Sequence, residues 1–161
     1  MRAVLQTVKN CGITADGKEM PGIKSGFLVL LGISAEDTEK EADALCEKIL
    51  KMRIFPDENG KMNLSLTDGR AGGDLMIVSN FTLYANCKSR RPDFMRAARP
   101  EQARRLYEYF INRVKLSAKD LCARDPGARL PDVTTGVFGA DMKITFTNDG
   151  PVTVILDTDE F

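Results

Sequence analysis

The chain has 161 residues, of which 43% are hydrophobic and 29% are charged, and this composition predicts a single globular domain over residues 1–161. It contains no histidine, which excludes a Ser-His catalytic pair and a histidine-ligated metal site. The formal net charge is zero, but residues 86–129 carry 12 basic and 5 acidic side chains. That segment either attracts phosphates at close range or forms a solvated helix face and loop.

The cysteines and the apolar runs exclude further classes of protein. Cys11, Cys46, Cys87 and Cys122 are widely scattered without a C-x-x-C pair, so we expect reduced thiols and no metal site. No apolar run approaches the ~20 residues of a membrane span, and residues 1–6 lack the apolar core of a signal peptide. We therefore expect a cytoplasmic protein without a membrane partner.

The first half of the chain predicts two strands and one helix. Residues 2–9 form the first predicted strand, and the dipeptide at 16–17, Asp-Gly, is a turn signal. The apolar run 27–31 has the length of a strand that is buried on both faces. Thr38 and Glu41 have the spacing of a capping box. The helix that follows carries one apolar stripe, formed by Ala42, Leu45, Cys46, Ile49 and Leu50.

The second half predicts three strands and a second helix. Residues 74–83 form a buried strand, and Pro100 is a favourable first-turn residue for the helix. Residues 117–135 contain breakers and predict an irregular, exposed insertion. The last two predicted strands are 141–147 and 152–157. The apolar stripe of the second helix is formed by Ala103, Leu106, Tyr107, Phe110, Ile111 and Val114.

This order of elements predicts an α/β fold with mixed β-sheets and two helices. Two helices leave part of the sheet surface uncovered, so a second sheet layer or a partner subunit must bury it. We therefore expect a three-layer α/β/β arrangement, and a homodimer that buries a sheet face.

A short polar segment follows the buried strand and is a candidate site. Ser79, Asn80, Phe81 and Thr82 lie at its end, where sites in α/β sheets are common. Their backbone N–H groups can stabilise an oxyanion, and Thr82 is a possible nucleophile, although no base accompanies it in the sequence. A simple strand-to-loop turn would explain the same residues.

Two other segments have alternative interpretations. The loop with Lys88, Arg90 and Arg91 can hold RNA phosphates, but the sequence places no aromatic set beside it for base stacking. Gly150 and Pro151 lie directly before an apolar run. Since only about 5–6% of X-Pro bonds in folded proteins are cis, the residues alone predict a trans bond. The chain contains neither a P-loop nor a Rossmann glycine pattern.

Together these segments resemble the D-aminoacyl-tRNA deacylases over nearly the whole chain. The family signature Asn-x-Gly-Pro-x-Thr is complete at residues 148–153. Residues 79–82 resemble the signature Ser-Gln-x-x-Thr, with Asn80 in place of glutamine and Thr82 one position earlier. The other matching segments are residues 28–32, 53–57, 60–63, 91–94 and 135–142.

The resemblance implies a homodimer in which the Gly-Pro bond is cis and its loop enters the active site of the other subunit. The carbonyl groups of Gly150 and Pro151 would then face the α-carbon and amino group of the substrate. An L side chain would clash with them, whereas D-amino acids and glycine would fit. Specificity would therefore arise by rejection.

The resemblance also implies a mechanism with little side-chain chemistry. Backbone N–H groups of Asn80, Phe81 and Thr82 would hold the ester carbonyl oxygen, and the 2′-hydroxyl of the terminal adenosine would assist hydrolysis. Phe138 would line the adenosine pocket. The implied partner is the 3′ end and acceptor stem of aminoacyl-tRNA, not DNA, and no cofactor or metal is expected. The basic residues at the acceptor stem would be Lys88, Arg90 and Arg91.

Three positions depart from the family pattern. Asn80 replaces the usual glutamine, Thr7 stands where arginine is common, and residues 117–133 are longer than the family norm. The changes at Asn80 and Thr7 leave one alternative to a deacylase, a drifted member that binds tRNA ends with little turnover. A separate alternative is an esterase with Thr82 as the nucleophile.

Overall fold

The computed structural model describes residues 1–70 and 73–161, which contain two α-helices and seven strands. The helices are α1 (Glu39–Lys51) and α2 (Pro100–Arg124). The strands are β1 (Arg2–Ala15), β2 (Lys18–Gly32), β3 (Phe55–Pro56), β4 (Met62–Leu64), β5 (Asp74–Ser79), β6 (Val133–Thr135) and β7 (Met142–Asp157). Short 3-10 helices lie at Phe81–Tyr84 and Thr158–Glu160.

Five strands form one mixed sheet in the order β6-β5-β2-β1-β7, and β3 pairs with β4 separately. β1 is antiparallel to both β2 and β7, whereas β5 is parallel to both β2 and β6. Parallel neighbours need crossover connections, and α1 and α2 lie within them. The predicted α/β class with a mixed sheet and two helices is confirmed. Over the described ranges, no helix has the length and apolar character needed to cross a membrane.

One hydrophobic core lies between the helices and the near face of the sheet. Leu45 and Ile49 of α1 and Phe110 of α2 are fully buried there, together with Val29 and Ile77 of the central strands. Burial of side chains of this size stabilises the fold by about 1.5–3 kcal/mol each. The apolar stripes of the two predicted helices therefore form the helix side of this core.

A second core covers the far face of the sheet, because the long strands bend across it. Along β5, Leu75 and Ile77 belong to the first core, whereas Met76 and Val78 belong to the second. β1 shifts register against β7 between Lys9 and Gly12 and against β2 between Cys11 and Ile13, and such bulges bend a strand. The bent halves form the second sheet layer, so the α/β/β order is observed. They contribute Cys11, Ile13, Ile23, Met142 and Ile144.

Several strand predictions are wrong in their bounds, among them the first strand and the last two. The first strand does not end at residue 9 but continues to Ala15, because its second half pairs with both β2 and β7. The predicted strands 141–147 and 152–157 are one strand, since residues on both sides of the Gly-Pro step pair with β1. Pairing with a neighbouring strand thus keeps both strands extended through residues that disfavour a strand, Gly12 in β1 and Gly150-Pro151 in β7.

The predicted insertion 117–135 is largely regular. Residues 117–124 continue α2, because Ala118 is fully buried and extends its apolar face. Residues 133–135 are β6, which pairs with β5. The intervening loop packs on the rest of the chain, where Arg129 donates hydrogen bonds to the carbonyl oxygen of Gly73 and to the Asp74 carboxylate.

The capping box at the start of α1 is confirmed. The backbone N–H of Thr38 donates to Glu41 Oε2 at 2.8 Å, and Lys40 N–H donates to Thr38 Oγ1 at 3.2 Å. These contacts satisfy donors that a helix start otherwise leaves free. The hydrogen bonds from Thr38 also hold the pKa of Glu41 below its usual value, so the carboxylate stays charged at the positive end of the helix.

Candidate active site

An apolar cavity of about 510 Å³ lies beside the end of β5, and its volume is in the range of small-molecule sites. Ser79, Asn80 and Phe81 form one side of it, and Phe138 from the loop after β6 also lines it. The start of α2 contributes Pro100 and Ala103. The remaining lining residues are Leu31, Ile33, Phe94, Ala97, Ala98, Gly139, Ala140 and Met142.

Asn80 sets the local backbone at this site. The predicted strand 74–83 ends at Ser79, because Asn80 caps the 3-10 helix that follows. Asn80 N–H donates to Leu31 O at 2.7 Å, and Thr82 N–H donates to Asn80 Oδ1 at 3.1 Å. Two of the three proposed oxyanion donors are therefore already bonded. Within the described ranges, the Phe81 N–H alone of the three has no acceptor in the chain.

The Thr82 hydroxyl is also engaged, because it donates to the same Asn80 Oδ1. Thr82 is exposed and does not line the cavity. A nucleophilic hydroxyl needs a neighbouring group that accepts its proton, and a neutral amide oxygen does not act as such a base. The geometry disfavours the Thr82 nucleophile.

Phe138 is held by two neighbours on α2. The ring of Tyr107 lies 5.9 Å from the Phe138 ring, and the guanidinium of Arg104 lies 5.1 Å above it. The Tyr107 hydroxyl donates to the carbonyl oxygen of Ile77 at 2.7 Å, which anchors α2 on β5. Burial raises the pKa of that hydroxyl, so Tyr107 stays neutral and serves as packing.

The basic loop lies next to the cavity and differs from the prediction in one respect. Paired backbone hydrogen bonds between Asn86 and Asp93 close a loop that exposes Lys88, Arg90 and Arg91. None of the three basic side chains forms a salt bridge over residues 1–70 and 73–161. The expectation that no aromatic group lies nearby is wrong. Phe81 and Phe94 border the loop, and the centres of their rings lie 5.1 Å apart. Phe81 is 58% exposed and Phe94 is 38% exposed.

Gly150 and Pro151 protrude from the edge strand β7. Between the pairs Gln6↔Thr153 and Val8↔Asn148, four residues of β7 oppose the single residue Thr7. The peptide bond is cis, as the resemblance implies and contrary to the expectation from the residues alone. Both residues are exposed, and neither lines the cavity of its own chain.

Thr7 holds the base of this protrusion. Its hydroxyl donates to the carbonyl oxygen of Asp149 at 2.6 Å, and the side chain is only 7% exposed. Across the protrusion, Asn148 Oδ1 accepts from Val152 N–H at 3.3 Å. Asn148 Nδ2 donates to Thr153 Oγ1 at 3.2 Å, so the polar residues of the signature brace the loop.

The structure thus brings together Ser79, Asn80, Phe81 and Phe138, and leaves the other predicted site residues outside this lining. Sequence reasoning missed the alanines at 97, 98 and 103, whose small side chains leave the space open. Three other missed lining residues, Leu31, Phe94 and Met142, belong to segments that carry the resemblance, but nothing in the local sequence indicated that they face a cavity.

The lining has few groups for acid–base chemistry. Within the described ranges, its polar side chains are the Ser79 hydroxyl and the Asn80 amide, and no charged residue lines the cavity. No group of three His, Cys, Asp or Glu residues is placed to hold a metal ion over the same ranges. The site is suited to bind a largely apolar group beside one free backbone donor.

Comparison with known proteins identifies the family. Residues 4–157 match the family described as D-Tyr-tRNA(Tyr) deacylase. A relative from Thermus aquaticus, named D-aminoacyl-tRNA deacylase, is 49% identical over 161 residues, covering 99% of this chain and 97% of the relative. A relative of the same name from Caldicellulosiruptor bescii is 45% identical over 159 residues, covering 98% and 97% respectively.

A solved structure agrees over the same length. The protein titled "c-Myc DNA Unwinding Element Binding Protein" superposes with a TM-score of 0.84 at 37% identity, and the match covers 98% of each chain. Sequence and fold therefore agree along almost the whole chain. This chain belongs to the D-Tyr-tRNA(Tyr) deacylase family, a family of hydrolases.

Proposed function

We propose that this chain hydrolyses the ester bond of D-aminoacyl-tRNA in the cytoplasm, releasing free tRNA and the D-amino acid. The observation that carries the proposal is the apolar cavity, whose volume is in the range of small-molecule sites and whose lining includes Ser79, Asn80 and Phe81 of the signature segment. The names of the relatives support the same reaction. Glycine attached to a tRNA for another amino acid is a second proposed substrate, because glycine has no side chain to exclude.

The chemistry is proposed to rest on the backbone and on the RNA itself. The terminal adenosine stacks on Phe138, and the ester carbonyl oxygen accepts a hydrogen bond from the Phe81 N–H. Water attacks the carbonyl carbon while the adenosine 2′-hydroxyl relays a proton, and the 3′-oxygen is protonated as it leaves. The RNA hydroxyl thereby takes the role that a histidine has in many hydrolases.

Selectivity for D-amino acids is proposed to need a second copy of the chain. Gly150 and Pro151 are exposed on an edge strand and do not line their own cavity, which supports their insertion into the cavity of a partner. In such a homodimer their carbonyl groups would face the α-carbon and amino group of the substrate. An L side chain would then meet two backbone oxygens, and this clash would exclude it.

The basic loop is proposed to contact the acceptor stem. Lys88, Arg90 and Arg91 are exposed and unpaired within the described ranges, and they follow the cavity segment directly along the chain. Such contacts to phosphates give affinity that falls as salt is raised.

The test is release of amino acid from D-tyrosyl-tRNA and from L-tyrosyl-tRNA. We expect hydrolysis of the D ester and of glycyl-tRNA, with the L ester left intact. Equal hydrolysis of the D and L esters would contradict the proposed selectivity for D-amino acids. Competition by duplex DNA at physiological salt is measured alongside, and we expect it to leave the rate unchanged.

A second candidate function is tRNA-end binding with little turnover. It is favoured by Asn80, which replaces the family glutamine and whose side chain occupies the Thr82 N–H. Tight binding of D-tyrosyl-tRNA without release of tyrosine would support this candidate over the deacylase.

We expect Thr82→Ala to retain deacylation within about 10-fold of the parent. Its hydroxyl only donates to Asn80, and the loss of one such exposed hydrogen bond costs about 0.5–1.5 kcal/mol. The measurement is single-turnover hydrolysis of D-tyrosyl-tRNA. A loss above ~10³-fold, comparable to removal of an oxyanion donor or worse, would overturn the backbone-and-RNA mechanism.

The proposed homodimer is tested by complementation between two inactive variants. Ala103→Trp fills the cavity, and Gly150→Ala disturbs the loop, because a Cβ at the Gly150 φ of 128° would lie 2.7 Å from the nearest Val152 methyl group. Co-expression in equal amounts should restore about a quarter of the parent activity, since half of the dimers are mixed and each has one intact site. No recovery in dimers shown to be mixed would contradict a site shared between subunits.

A further inference from the structure

Arg104 projects from the second turn of α2 beside the candidate active site. Its guanidinium lies 5.1 Å above the centre of the Phe138 ring, and that ring lines the cavity. Its neighbour Ala103 lines the same cavity, whereas Arg104 is exposed to solvent. A positive charge is therefore held at the border of a site whose described lining has no charge of its own.

Arg104 differs from Arg105 and Arg113 on the same helix in having no salt-bridge partner within the described residues. Arg105 forms a salt bridge with Glu39 at 3.2 Å, and Arg113 forms one with Asp43 at 2.9 Å, both across to α1. In the part of the chain that the structure describes, no acidic group lies within salt-bridge distance of Arg104. An aromatic face orients a guanidinium but does not neutralise it, so its N–H donors remain available for an anion.

We propose that Arg104 binds the phosphate on the 5′ side of the terminal nucleotide, whose nucleoside occupies the cavity. This inference rests on the proposed function. The cavity has no charged side chain in its described lining, and in an RNA 3′ end the anion attached to the terminal nucleoside is its 5′ phosphodiester. A guanidinium can contact two phosphate oxygens at once, which fixes orientation as well as adding affinity. Arg104 would thereby align the ester with the Phe81 N–H.

The experiment compares two small esters, D-tyrosyl-adenosine and D-tyrosyl-adenosine 5′-methylphosphate. These probes differ by one phosphodiester charge and lack the acceptor stem. We expect the parent to prefer the phosphorylated ester by about 10-fold in kcat/KM, through KM, as for a charge-assisted hydrogen bond. Arg104→Ala should reduce the ratio of the two kcat/KM values to nearly one. Arg104→Lys should keep part of the preference, because lysine retains the charge but lacks the paired N–H donors of a guanidinium.

Arg105→Ala is the matched control, because it removes the same charge one residue away. It should keep the full preference for the phosphorylated ester. The inference would be overturned if Arg104→Ala kept the preference, or if the parent showed none. Neither result would contradict the proposed hydrolysis of D-tyrosyl-tRNA.

Binding of the non-hydrolysable amide analogues of both esters is measured in parallel, and this separates the inference from the proposed function. If the protein binds these analogues but does not hydrolyse D-tyrosyl-tRNA, the deacylase proposal fails and the phosphate preference in binding still decides the role of Arg104. If neither analogue binds, both proposals fail.

Discussion

Replacing Ala103 with tryptophan is expected to lower kcat/KM for D-tyrosyl-tRNA by ~30- to 10⁴-fold. Ala103 lines the cavity from α2, so an indole at this position would occupy the space proposed for the terminal adenosine. The change forfeits base stacking, worth about 1–3 kcal/mol. It also adds an overpacking cost of about 1–3 kcal/mol when substrate binds. The loss should lie in KM, because the backbone donor of Phe81 is untouched.

The control for this variant is Ala44→Trp, which places the same ring on the exposed face of α1. Both variants are compared for thermal unfolding and for single-turnover hydrolysis. We expect both to unfold near the temperature of the parent, and only Ala103→Trp to lose activity. Full activity in a folded Ala103→Trp protein would show that substrate does not enter this cavity.

Replacing Gly32 with alanine is expected to lower kcat by ~100-fold with little change in KM. An added Cβ would lie 2.8 Å from Leu83 Cβ and 3.2 Å from Asn80 O, so the end of β2 would push the turn that carries Phe81. Neither of these atoms is the end of a flexible side chain. Displacement of a catalytic group by about 1 Å can cost ~100-fold in rate.

Gly12→Ala is a matched control for Gly32→Ala. Gly12 lies in β1 and has no atom within 4 Å of the added Cβ. It should keep the activity of the parent. If Gly32→Ala hydrolyses D-tyrosyl-tRNA as fast as Gly12→Ala, the position of the turn is not critical, and the Phe81 N–H loses its proposed role.

The two unusual residues have structural roles that the sequence did not reveal. Thr7 is almost fully buried and holds the base of the Gly-Pro protrusion through Asp149. Asn80 caps the 3-10 helix and bonds both the N–H and the hydroxyl of Thr82. Each departure therefore falls on a residue that positions a part of the proposed site.

The structure divides the basic side chains of segment 86–129 into paired and exposed groups. Arg105 and Arg113 pair with acidic residues of α1 and serve as the solvated helix face. Lys88, Arg90 and Arg91 lie on an exposed loop instead. Counting charges along the chain does not separate these groups, because pairing depends on α1 and α2 lying side by side.

The sequence by itself determined the class of fold, the helix with its capping box and apolar stripe, and the exclusion of histidine chemistry. These depend on residue type and short-range spacing, which act through local hydrogen bonds and the burial of one face. The same local patterns carried the family signatures at residues 79–82 and 148–153.

Only the tertiary structure decided which of these residues meet. The bulges of β1 between Lys9 and Ile13 bend the strand into the second sheet layer, and the pairing of β7 with β1 leaves the Gly-Pro step at an exposed edge. The cavity arises where the end of β5, the start of α2 and the loop after β6 converge. Strand pairing and close packing join residues far apart in the chain, so local propensity does not encode the open space between them.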